Sequence, residues 1–386
     1  MIQIIYTSDV HSNIFKIAGE LKNIKEKYPN ALVIDNGDFI EGSCFYCFSK
    51  GKTEINLLST YYDVINVGNH GFRHYLSLKD KLPIICANIY KNNTNVFKES
   101  ISIQKNGISY IFIGFISKEA FEAIPEEERE GLEWRDRFEW LKKMSLKIDK
   151  NVHIFLLSHS GFENDCCMAK ELSNIDIIFS GHCHSNNKPT FLNHILIFKI
   201  PDLGDGYGEI LLKDKQIKMS IKNLKIQRNN DYAIKKSLIS FDKWKNVEVG
   251  ILLSELKTLN TREHLLKHLL PKIQHLYKTD ISIFNIPIIR ELPKNNIFTK
   301  YDLYQLSPFN NKIYTFEIAK ELFFKIVDSY ENKNLLVSES KNTLSKNIKV
   351  ATSSYLYNNL FKKYSYNLQS HQFFTTFLKK HILQKS

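Results

Sequence analysis

Up to about residue 220, the sequence alternates short runs of β-branched and other apolar residues with longer amphipathic stretches. The short runs predict strands and the longer stretches predict helices, so the pattern indicates an α/β fold built in layers. The predicted strands are 2–6, 31–35, 63–67, 83–87, 109–115, 152–158, 175–179 and 195–200. The predicted helices include 13–28, 134–149 and 163–172.

Length and composition narrow the class of protein further. A chain of 386 residues is long enough for two domains, and a hydrophobic content of 43% with 12% aromatic residues excludes wholesale disorder. No apolar run reaches the roughly 18 residues needed to cross a bilayer. The first residues, MIQIIYTSDVH, lack the basic region and cleavage site of a signal peptide. We therefore expect a cytoplasmic protein with no membrane partner, its six cysteines reduced.

The character of the sequence changes after the first 220 residues. A lysine- and asparagine-rich stretch at 221–245 indicates an interdomain linker or a bridging helix. The following stretch, 246–278, is typical of helix, and 280–386 mixes strands and helices again. We therefore expect one domain at 1–220 and a second, smaller domain at 246–386.

The chain is basic, with a formal net charge of +12 that comes mainly from lysine, and no acidic residue follows Glu339. Such a balance fits a solvated basic surface, and it equally fits a patch that attracts phosphorylated ligands or nucleic acid. Composition does not separate these alternatives. We expect a small phosphate ester as the partner and do not expect nucleic acid; the oligomeric state stays open.

Polar side chains that could bind metal follow the predicted strands of the first half. Five short segments carry them: SDVHS, NGDFIEG, GNH, LLSHSG and SGHCHS. The candidate ligands in these segments are Asp9, His11, Asp38, Asn69, His159, His182 and His184. Because ligands bind at the carboxyl ends of strands in open α/β sheets, these side chains are expected to share one site. Carboxylate, imidazole and amide oxygen together suit Mn²⁺, Fe²⁺ or Zn²⁺.

The order of these segments resembles that of the calcineurin-like metallophosphoesterases, in which Asp-x-His, Gly-Asp, Gly-Asn-His, a single His and Gly-His-x-His follow one another. The resemblance implies a four-layer α/β/β/α sandwich that holds two divalent metals bridged by Asp38. It further implies two ligand sets. The first consists of Asp9, His11, Asp38 and His184, and the second of Asp38, Asn69, His159 and His182. A hydroxide bridging the two metals would attack phosphorus, and the net positive centre would attract a phosphate dianion.

The second half resembles the C-terminal domain of the 5′-nucleotidases, an α+β domain found in enzymes that hydrolyse nucleoside phosphates and UDP-sugars. The similar segments are Asn285 to Arg290, Pro308-Phe309-Asn310-Asn311, and VATSSYL at 350–356. The resemblance implies that Phe309 and Tyr355 sandwich a nucleobase, that Asn311 contacts its edge, and that Arg290 lies near the ribose or phosphate. The alternative is that both aromatic residues belong to a hydrophobic core.

The second half also departs from the family pattern. Pro287 replaces a glycine of the first segment, and the Gly-Gly-Asp-Gly that follows the second aromatic residue in the family is missing after Tyr355. Asn260 stands where the family usually has an arginine. These differences affect the contacts to base and ribose, so the substrate could differ from that of the family.

A further departure lies beside the predicted catalytic histidine. The nucleotidases read Gly-Asn-His-Glu-Phe-Asp, and the resemblance implies that His70 stabilises the transferred phosphoryl group. This chain reads Gly-Asn-His-Gly-Phe-Arg, so Arg73 replaces the carboxylate that pairs with the histidine. A nearby guanidinium disfavours the imidazolium, but it could also bind a phosphate oxygen directly. The third alternative is that Arg73 points to solvent.

The sequence therefore predicts a metal-dependent phosphoester hydrolase that acts on a nucleotide or a related small phosphate ester through a bridging hydroxide. Its catalytic residues would be His70 and Arg73. One alternative is a phosphodiesterase or other ester hydrolase with a non-nucleotide substrate. Another is a nucleotide- or partner-binding protein whose catalysis is weakened by the arginine at position 73.

Overall fold

The computed structural model describes residues 2–149, 151–213, 216–225, 232–292, 296–308, 311–330, 334–339 and 345–384. The chain divides into two compact units, Met1–Phe241 and Asp242–Ser386.

The first unit contains most of the strands and helices. Its strands are β1 (Ile2–Thr7), β2 (Leu32–Asp35), β3 (Val64–Asn66), β4 (Ile84–Ile85), β5 (Ile89–Lys91), β6 (Thr94–Asn95), β7 (Ser100–Lys105), β8 (Ile108–Ile116), β9 (Glu133–Trp134), β10 (His153–His159), β11 (Ile177–Ser180), β12 (Thr190–Leu192), β13 (Ile195–Phe198), β14 (Gly206–Lys213) and β15 (Gln216–Asn223). Its helices are α1 (Ile14–Lys27), α2 (Cys44–Ser49), α3 (Lys52–Tyr61), α4 (Phe72–Leu78), α5 (Lys118–Ala123), α6 (Phe138–Lys147) and α7 (Phe162–Glu171), with a 3-10 turn at Glu126–Glu128. Helix α8 (Tyr232–Lys245) spans the boundary between the units.

Two six-stranded sheets form the centre of the first unit. The first has the order β15-β14-β1-β2-β3-β4 and the second the order β12-β13-β11-β10-β8-β7. One buried hydrophobic cluster joins them, with Tyr6 and Ile34 from the first sheet and Phe112, Phe155 and Phe198 from the second. The two sheets therefore pack face to face. Each fully buried side chain of this size contributes roughly 1.5–3 kcal/mol of transfer free energy.

Helices cover the outer faces of the two sheets. Leu141 of α6 and Ala169 of α7 pack with Leu156 and Ile178 on the outer face of the second sheet. Helices α1 and α3 connect the parallel neighbours β1, β2 and β3, and such crossovers cover the opposite face of the first sheet. The predicted four-layer α/β/β/α sandwich is confirmed.

The second unit is smaller and mixes strands with helices. Its strands are β16 (Glu248–Leu252), β17 (Ile281–Asn285), β18 (Ile297–Thr299), β19 (Lys312–Ala319), β20 (Leu335–Val337), β21 (Asn347–Ser353), β22 (Tyr366–Phe373) and β23 (Leu383–Gln384). Its helices are α9 (Arg262–Tyr277), α10 (Lys300–Leu306), α11 (Lys320–Ser329), α12 (Ser354–Leu356) and α13 (Phe374–Ile382). Short 3-10 helices lie at Ser254–Leu256 and Ile286–Ile288, and a short π-helix lies at Tyr357–Phe361. The sheets have the orders β18-β16-β23 and β20-β17-β21-β19-β22, which agrees with the predicted α+β class.

Two regions differ from the sequence-based expectation. The stretch 246–278, predicted as helical, begins with strand β16 and becomes α-helical only in α9, because β16 pairs with β18 and β23. The predicted linker at 221–245 starts inside β15 and ends with α8, while 226–231 lie outside the described residues. In the part of the chain that the structure describes, no helix has both the length and the apolar character needed to cross a membrane.

Candidate metal centre

Both sheets contribute to one cluster of polar side chains at their carboxyl edges. Asp9, Asp38 and Asn69 follow the parallel neighbours β1, β2 and β3 of the first sheet. His159 ends β10 and His182 follows β11, its parallel neighbour in the second sheet. Because the two sheets pack face to face, the strand ends of both reach the same place. The structure thus brings together residues that are far apart in the sequence, such as Asp9 and His184.

The first group of possible ligands consists of Asp9, His11 and His184, whose ligand atoms lie within 4.8 Å of one another. The Nε2 atoms of His11 and His184 are 3.1 Å apart. The other ring nitrogen of each faces a protein acceptor: Nδ1 of His11 is 3.2 Å from the Glu41 carbonyl oxygen, and Nδ1 of His184 is 2.9 Å from Oδ2 of Asp202. Protons on Nδ1 leave both Nε2 lone pairs directed at one point, as metal-binding histidines require.

The second group contains Asp38, Asn69, His159 and His182. Oδ1 of Asn69 lies 3.3 Å from Nε2 of His159 and 3.1 Å from Nδ1 of His182. Nδ1 of His159 donates to the carbonyl oxygen of Asn36 over 2.8 Å, so its Nε2 is the nitrogen that faces the ligand group. These atoms could hold a second metal ion next to the first.

Asp38 lies between the two groups. Its Oδ2 is 3.7 Å from Nε2 of His11 and 3.4 Å from Nε2 of His159, while its Oδ1 accepts from the backbone N–H of His70 over 2.8 Å. A Cβ atom at Gly68 would overlap the Asp38 carboxylate, so only glycine fits there. A buried carboxylate in this position could contact both metals, and the residues present therefore fit a two-metal site.

The backbone is strained where the ligands lie. Asp9, His11, Asp38 and His182 have φ angles of 53°, 51°, 54° and 73°, in the left-handed region that non-glycine residues rarely adopt. Each such residue costs of the order of 1 kcal/mol and persists only where its surroundings hold it. Backbone bonds to the neighbouring loop do so here, including His11 N–H to the Asp38 carbonyl oxygen at 2.8 Å. Other described residues, such as Asn92 and Lys278, also have such angles, but strained backbone at ligand positions is common in functional sites.

The pKa values of the possible ligands are shifted by burial and by their neighbours. Burial lowers the pKa of His11, and burial together with the charge on His159 lowers the pKa of His182 to about 4. Burial would raise the pKa of Asp38, but attraction to His159 outweighs it and moves the pKa well below its usual value. Burial likewise opposes protonation of His159, yet the Asp38 carboxylate raises its pKa to about 9. Metal-free protein thus holds a buried ion pair beside two neutral imidazoles, the form of histidine that binds metals.

The two predicted catalytic residues are placed differently. The ring of His70 lies 4.8 Å from that of His11, centroid to centroid, and His70 forms a possible ligand group with His11 and Asp38. Arg73 is the second residue of helix α4, and its Nη2 donates to the Tyr46 hydroxyl over 2.8 Å. Among the described residues no hydrogen bond or ion pair joins Arg73 to His70.

Two glutamates also lie near Arg73. Its Nη2 is 4.0 Å from Oε1 of Glu41 and its Nε is 3.7 Å from Oε1 of Glu128, while half of the side chain stays exposed. Glu41 in turn accepts from the backbone N–H of Gly71 over 2.8 Å. Arg73 is therefore not isolated in solvent, and among the described residues no hydrogen bond or ion pair joins it to a predicted metal ligand. Its catalytic role stays a prediction.

The predicted substrate residues lie in the second unit. The Tyr355 side chain is 52% exposed, so it is not a core residue. Oδ1 of Asn311 accepts a hydrogen bond of 3.3 Å from Ser354, the neighbour of Tyr355. Arg290 is exposed, and its backbone N–H donates to the Leu306 carbonyl oxygen. Phe309 lies outside the described residues, so the predicted pairing of two aromatic rings stays a prediction.

Several residues that shape the site carry no sequence motif. Nδ2 of Asn36 donates to the carbonyl oxygens of Ser158 and Phe179, which ties the first sheet to the second. Asp202 fixes the ring of His184, and Lys199 is buried behind Asp9. The only sequence signal for Asn36 is its place at the end of a predicted strand. Asp202 and Lys199 offered none, because their partners are distant in the sequence.

A two-sheet α/β sandwich with carboxylate, amide and imidazole groups at the carboxyl edges of its strands is the architecture of a metallophosphoesterase. The family model of the calcineurin-like phosphoesterases matches residues 2–186. These residues therefore form a calcineurin-like phosphoesterase domain.

Several similar proteins of known name are 5′-nucleotidases. The snake venom 5′-nucleotidase of Naja atra is 28% identical over 193 residues, which cover 46% of this chain and 36% of that protein. The chain thus matches only about a third of the length of this curated relative. Crystal structures of a 5′-nucleotidase precursor from Thermus thermophilus and a 5′-nucleotidase from Candida albicans share the fold.

Their TM-scores are 0.71 and 0.70, at 16% and 14% identity; each covers 100% of this chain, and 97% and 98% of the respective relative. The similarity to the calcineurin-like phosphoesterases and to proteins named 5′-nucleotidases, predicted from the sequence, is confirmed.

Proposed function

We propose that this chain hydrolyses phosphate esters of nucleotides or related small phosphate esters, and that it needs two divalent metal ions to do so. The observation that carries the proposal is the convergence of ligand atoms on both sides of the buried Asp38 carboxylate. The family match supports phosphoester hydrolysis, and the relatives named 5′-nucleotidases support a nucleotide substrate. The mixed oxygen and nitrogen donors suit Mn²⁺, Zn²⁺ or Fe²⁺.

In this proposal the chain holds one metal with Asp9, His11, Asp38 and His184, and the other with Asp38, Asn69, His159 and His182. Two bound dications supply Lewis acidity toward the phosphoryl oxygens and lower the pKa of a water molecule. The protein fixes the ligand directions of His11, His159 and His184, because Nδ1 of each ring faces an acceptor outside the ligand group. With two carboxylates against four positive charges, the site attracts a phosphate dianion.

His70 is the proposed stabiliser of the transferred phosphoryl group. Its backbone N–H is fixed by Asp38, and its ring lies beside that of His11, so its side chain is held at the edge of the ligand cluster. An imidazole N–H in this position can donate to a phosphoryl oxygen as negative charge develops there. Such a bond strengthens in the transition state and would raise kcat more than it changes substrate binding.

Arg73 is the proposed second contact to substrate phosphate. The guanidinium is half exposed, and its distances to Glu41 and Glu128 are long for ion pairs. A phosphate oxygen could compete for the same N–H groups, since the planar fork of arginine suits oxyanions. The hydrogen bond to Tyr46 would then orient the side chain.

The second unit is proposed to bind the nucleoside part. Tyr355 presents an exposed ring, and Asn311 is held next to it through Ser354. Stacking on an aromatic ring is worth about 1–3 kcal/mol per base and accepts any base. Phe309 and Arg290 are proposed to complete these contacts on the strength of the sequence resemblance.

A phosphate-release assay tests the proposal. Protein stripped with a chelator and reloaded with Mn²⁺ or Zn²⁺ would be incubated with nucleoside mono-, di- and cyclic phosphates and an aryl phosphate. We expect metal-dependent phosphate release, fastest with a nucleotide, and loss of at least 100-fold in kcat for Asp38→Asn. Asp205→Asn removes an exposed carboxylate that pairs with Lys16 and is the control expected to keep full activity. No release above the chelated blank from any ester would refute the proposal.

A second candidate function is nucleotide binding with weak turnover. The observation in its favour is the arginine at position 73, which is held by Tyr46 where the family has a carboxylate. Calorimetry separates the candidates: this one predicts micromolar nucleotide binding by metal-loaded protein that releases almost no phosphate. Phosphate release at 1 s⁻¹ or more, the lower end of ordinary turnover, would exclude it.

A further inference from the structure

A buried lysine lies directly behind one of the proposed metal ligands. Lys199 follows β13 and is 1% exposed. Its Nζ donates to the carbonyl oxygen of Ile200 over 3.1 Å and lies 3.9 Å from Oδ2 of Asp9. Burying an ammonium group is costly unless an opposite charge is near, so the Asp9 carboxylate is its natural counter-charge.

Asp9 is already surrounded by hydrogen-bond donors. Ser8 donates to Oδ2 over 2.6 Å, and the backbone N–H of His182 is 3.0 Å from Oδ1 and 3.2 Å from Oδ2. Together with the Lys199 ammonium, these donors draw electron density from the oxygens that would bind a metal. They also stabilise the Asp9 carboxylate before any metal enters.

Asp38 has a different environment. Within the described residues its carboxylate has only histidines within ion-pair distance, and neither a lysine nor an arginine. The two proposed metal positions are therefore electrostatically unequal. Among the described residues, a lysine lies behind the position formed by Asp9, His11 and His184, and none lies within ion-pair distance of the Asp38 carboxylate.

The buried carboxyl group of Asp165 also interacts electrostatically with the Lys199 ammonium. Burial raises the pKa of Asp165 to about 7, and Lys199 lowers it only in part. Because burial favours the uncharged form of this carboxyl, it does not fully offset the charge of Lys199.

We propose that Lys199 makes the Asp9–His11–His184 position the weaker of the two metal sites. This inference rests on the proposed function, since it concerns the same pair of metals. A cation within a few ångströms of a ligand carboxylate, in a buried medium, repels a dication and lowers its affinity by about tenfold or more. The metal ion at the Asp9–His11–His184 position would then bind only when free metal is abundant. If hydrolysis needs both metals, its rate would increase with the concentration of free metal.

The test is a Mn²⁺ titration of the chelator-stripped 386-residue chain by calorimetry. The wild type is expected to show two binding events of different affinity. Lys199→Met keeps the length of the side chain and removes its charge. It should tighten the weaker event about tenfold or more and change the tighter event less than about twofold. Structural damage would instead weaken binding, so a gain in affinity is specific to the charge.

Control variants test whether the change in Mn²⁺ affinity comes from the charge at position 199. Lys25→Met removes another lysine with an aspartate partner, Asp63 at 2.9 Å, and should leave both events unchanged. Lys199→Arg keeps the charge and should keep the weaker event weak. Lys199→Gln, which can still donate to the Ile200 carbonyl, replaces Lys199→Met if circular dichroism shows that the methionine variant is unfolded. His184→Ala should abolish the weaker event and leave the tighter one.

Specific results would overturn the inference. Equal affinities in the wild type, an unchanged or weakened second event in folded Lys199→Met and Lys199→Gln, or loss of the tighter event in His184→Ala would each do so. These results are distinct from failure of the proposed function, in which folded wild-type protein would bind no Mn²⁺ at all.

Discussion

Replacing Asp165 by asparagine should remove a pH-dependent loss of stability. Asp165 lies on α7 and is fully buried. Neither carboxylate oxygen has a hydrogen bond of acceptable geometry with a described residue, although Ser158 and Ser180 are near enough to lower its pKa. Burial dominates and raises the pKa to about 7, from an ordinary value of 3.8. The folded protein therefore favours the protonated carboxyl.

The magnitude follows from the difference between the two pKa values. Because the folded pKa is the higher one, the folded state binds more protons than the unfolded state between pH 3.8 and about 7. The stabilisation from proton binding is complete below the unfolded pKa and is lost as pH rises through the folded pKa. The slope is about 1.4 kcal/mol per pH unit, so raising the pH from 5 to 8 should cost the wild type roughly 2 to 3 kcal/mol through Asp165.

Urea unfolding of wild type and Asp165→Asn at pH 5, 6, 7 and 8, with chelator present, measures this effect. The chelator is needed because bound cations would favour the carboxylate. We analyse the transition that the substitution shifts, since a chain of two units need not unfold in one step. The free-energy advantage of the variant should grow by roughly 2 to 3 kcal/mol from pH 5 to pH 8. Asp80→Asn, at an exposed position, is the control. A difference that stays constant with pH would refute the reasoning.

Three further outcomes are expected. Gly68→Ala should weaken Mn²⁺ binding at least tenfold, because its methyl group would overlap the Asp38 carboxylate; wild-type affinity would contradict the geometry. Tyr355→Ala should raise the KM for a nucleotide about fivefold or more and leave an aryl phosphate unaffected, whereas Tyr364→Ala, at a similarly exposed tyrosine, should change neither. Arg73→Ala should raise KM and lower kcat if the guanidinium contacts phosphate; changes below about twofold in both would remove Arg73 from the active site.

The strands that were predicted from the sequence are those with continuous apolar runs. β8, β10 and β11 are buried between the other layers, so nearly every residue in them is apolar and the signal is strong. Among the strands that were missed, which include the interior strand β14, β7 and β15 are edge strands with exposed, lysine-containing sequences. β7 alternates between exposed and half-buried residues. Their partners β8 and β14 supply the hydrogen bonds that make them strands, which a local pattern does not reveal.

The residues of the candidate site likewise fall into those that could be predicted from the sequence and those that could not. The ligand-type residues could be predicted because each follows a recognisable strand in a short motif, as Asp38 does in NGDFIEG. The residues that orient or oppose them could not. Asp202 reaches His184, and Lys199 reaches Asp9 across 190 positions, through tertiary packing alone. The contact between Arg73 and Glu128 could not be predicted either, because Glu128 lies in a 3-10 turn that is distant in the sequence.

The most direct test of the two-metal centre is the number of metal ions bound per chain. Stripped protein would be dialysed to equilibrium against excess Mn²⁺. The bound metal is the difference in Mn²⁺ between the two sides of the membrane by elemental analysis, and its spectrum is recorded by electron paramagnetic resonance. The centre organised around Asp38 predicts two Mn²⁺ per chain with a spin-coupled spectrum, and a loss of coupling with no more than one ion in Asp38→Asn. Trace Mn²⁺ in the folded wild type, or two ions that remain coupled in Asp38→Asn, would contradict it.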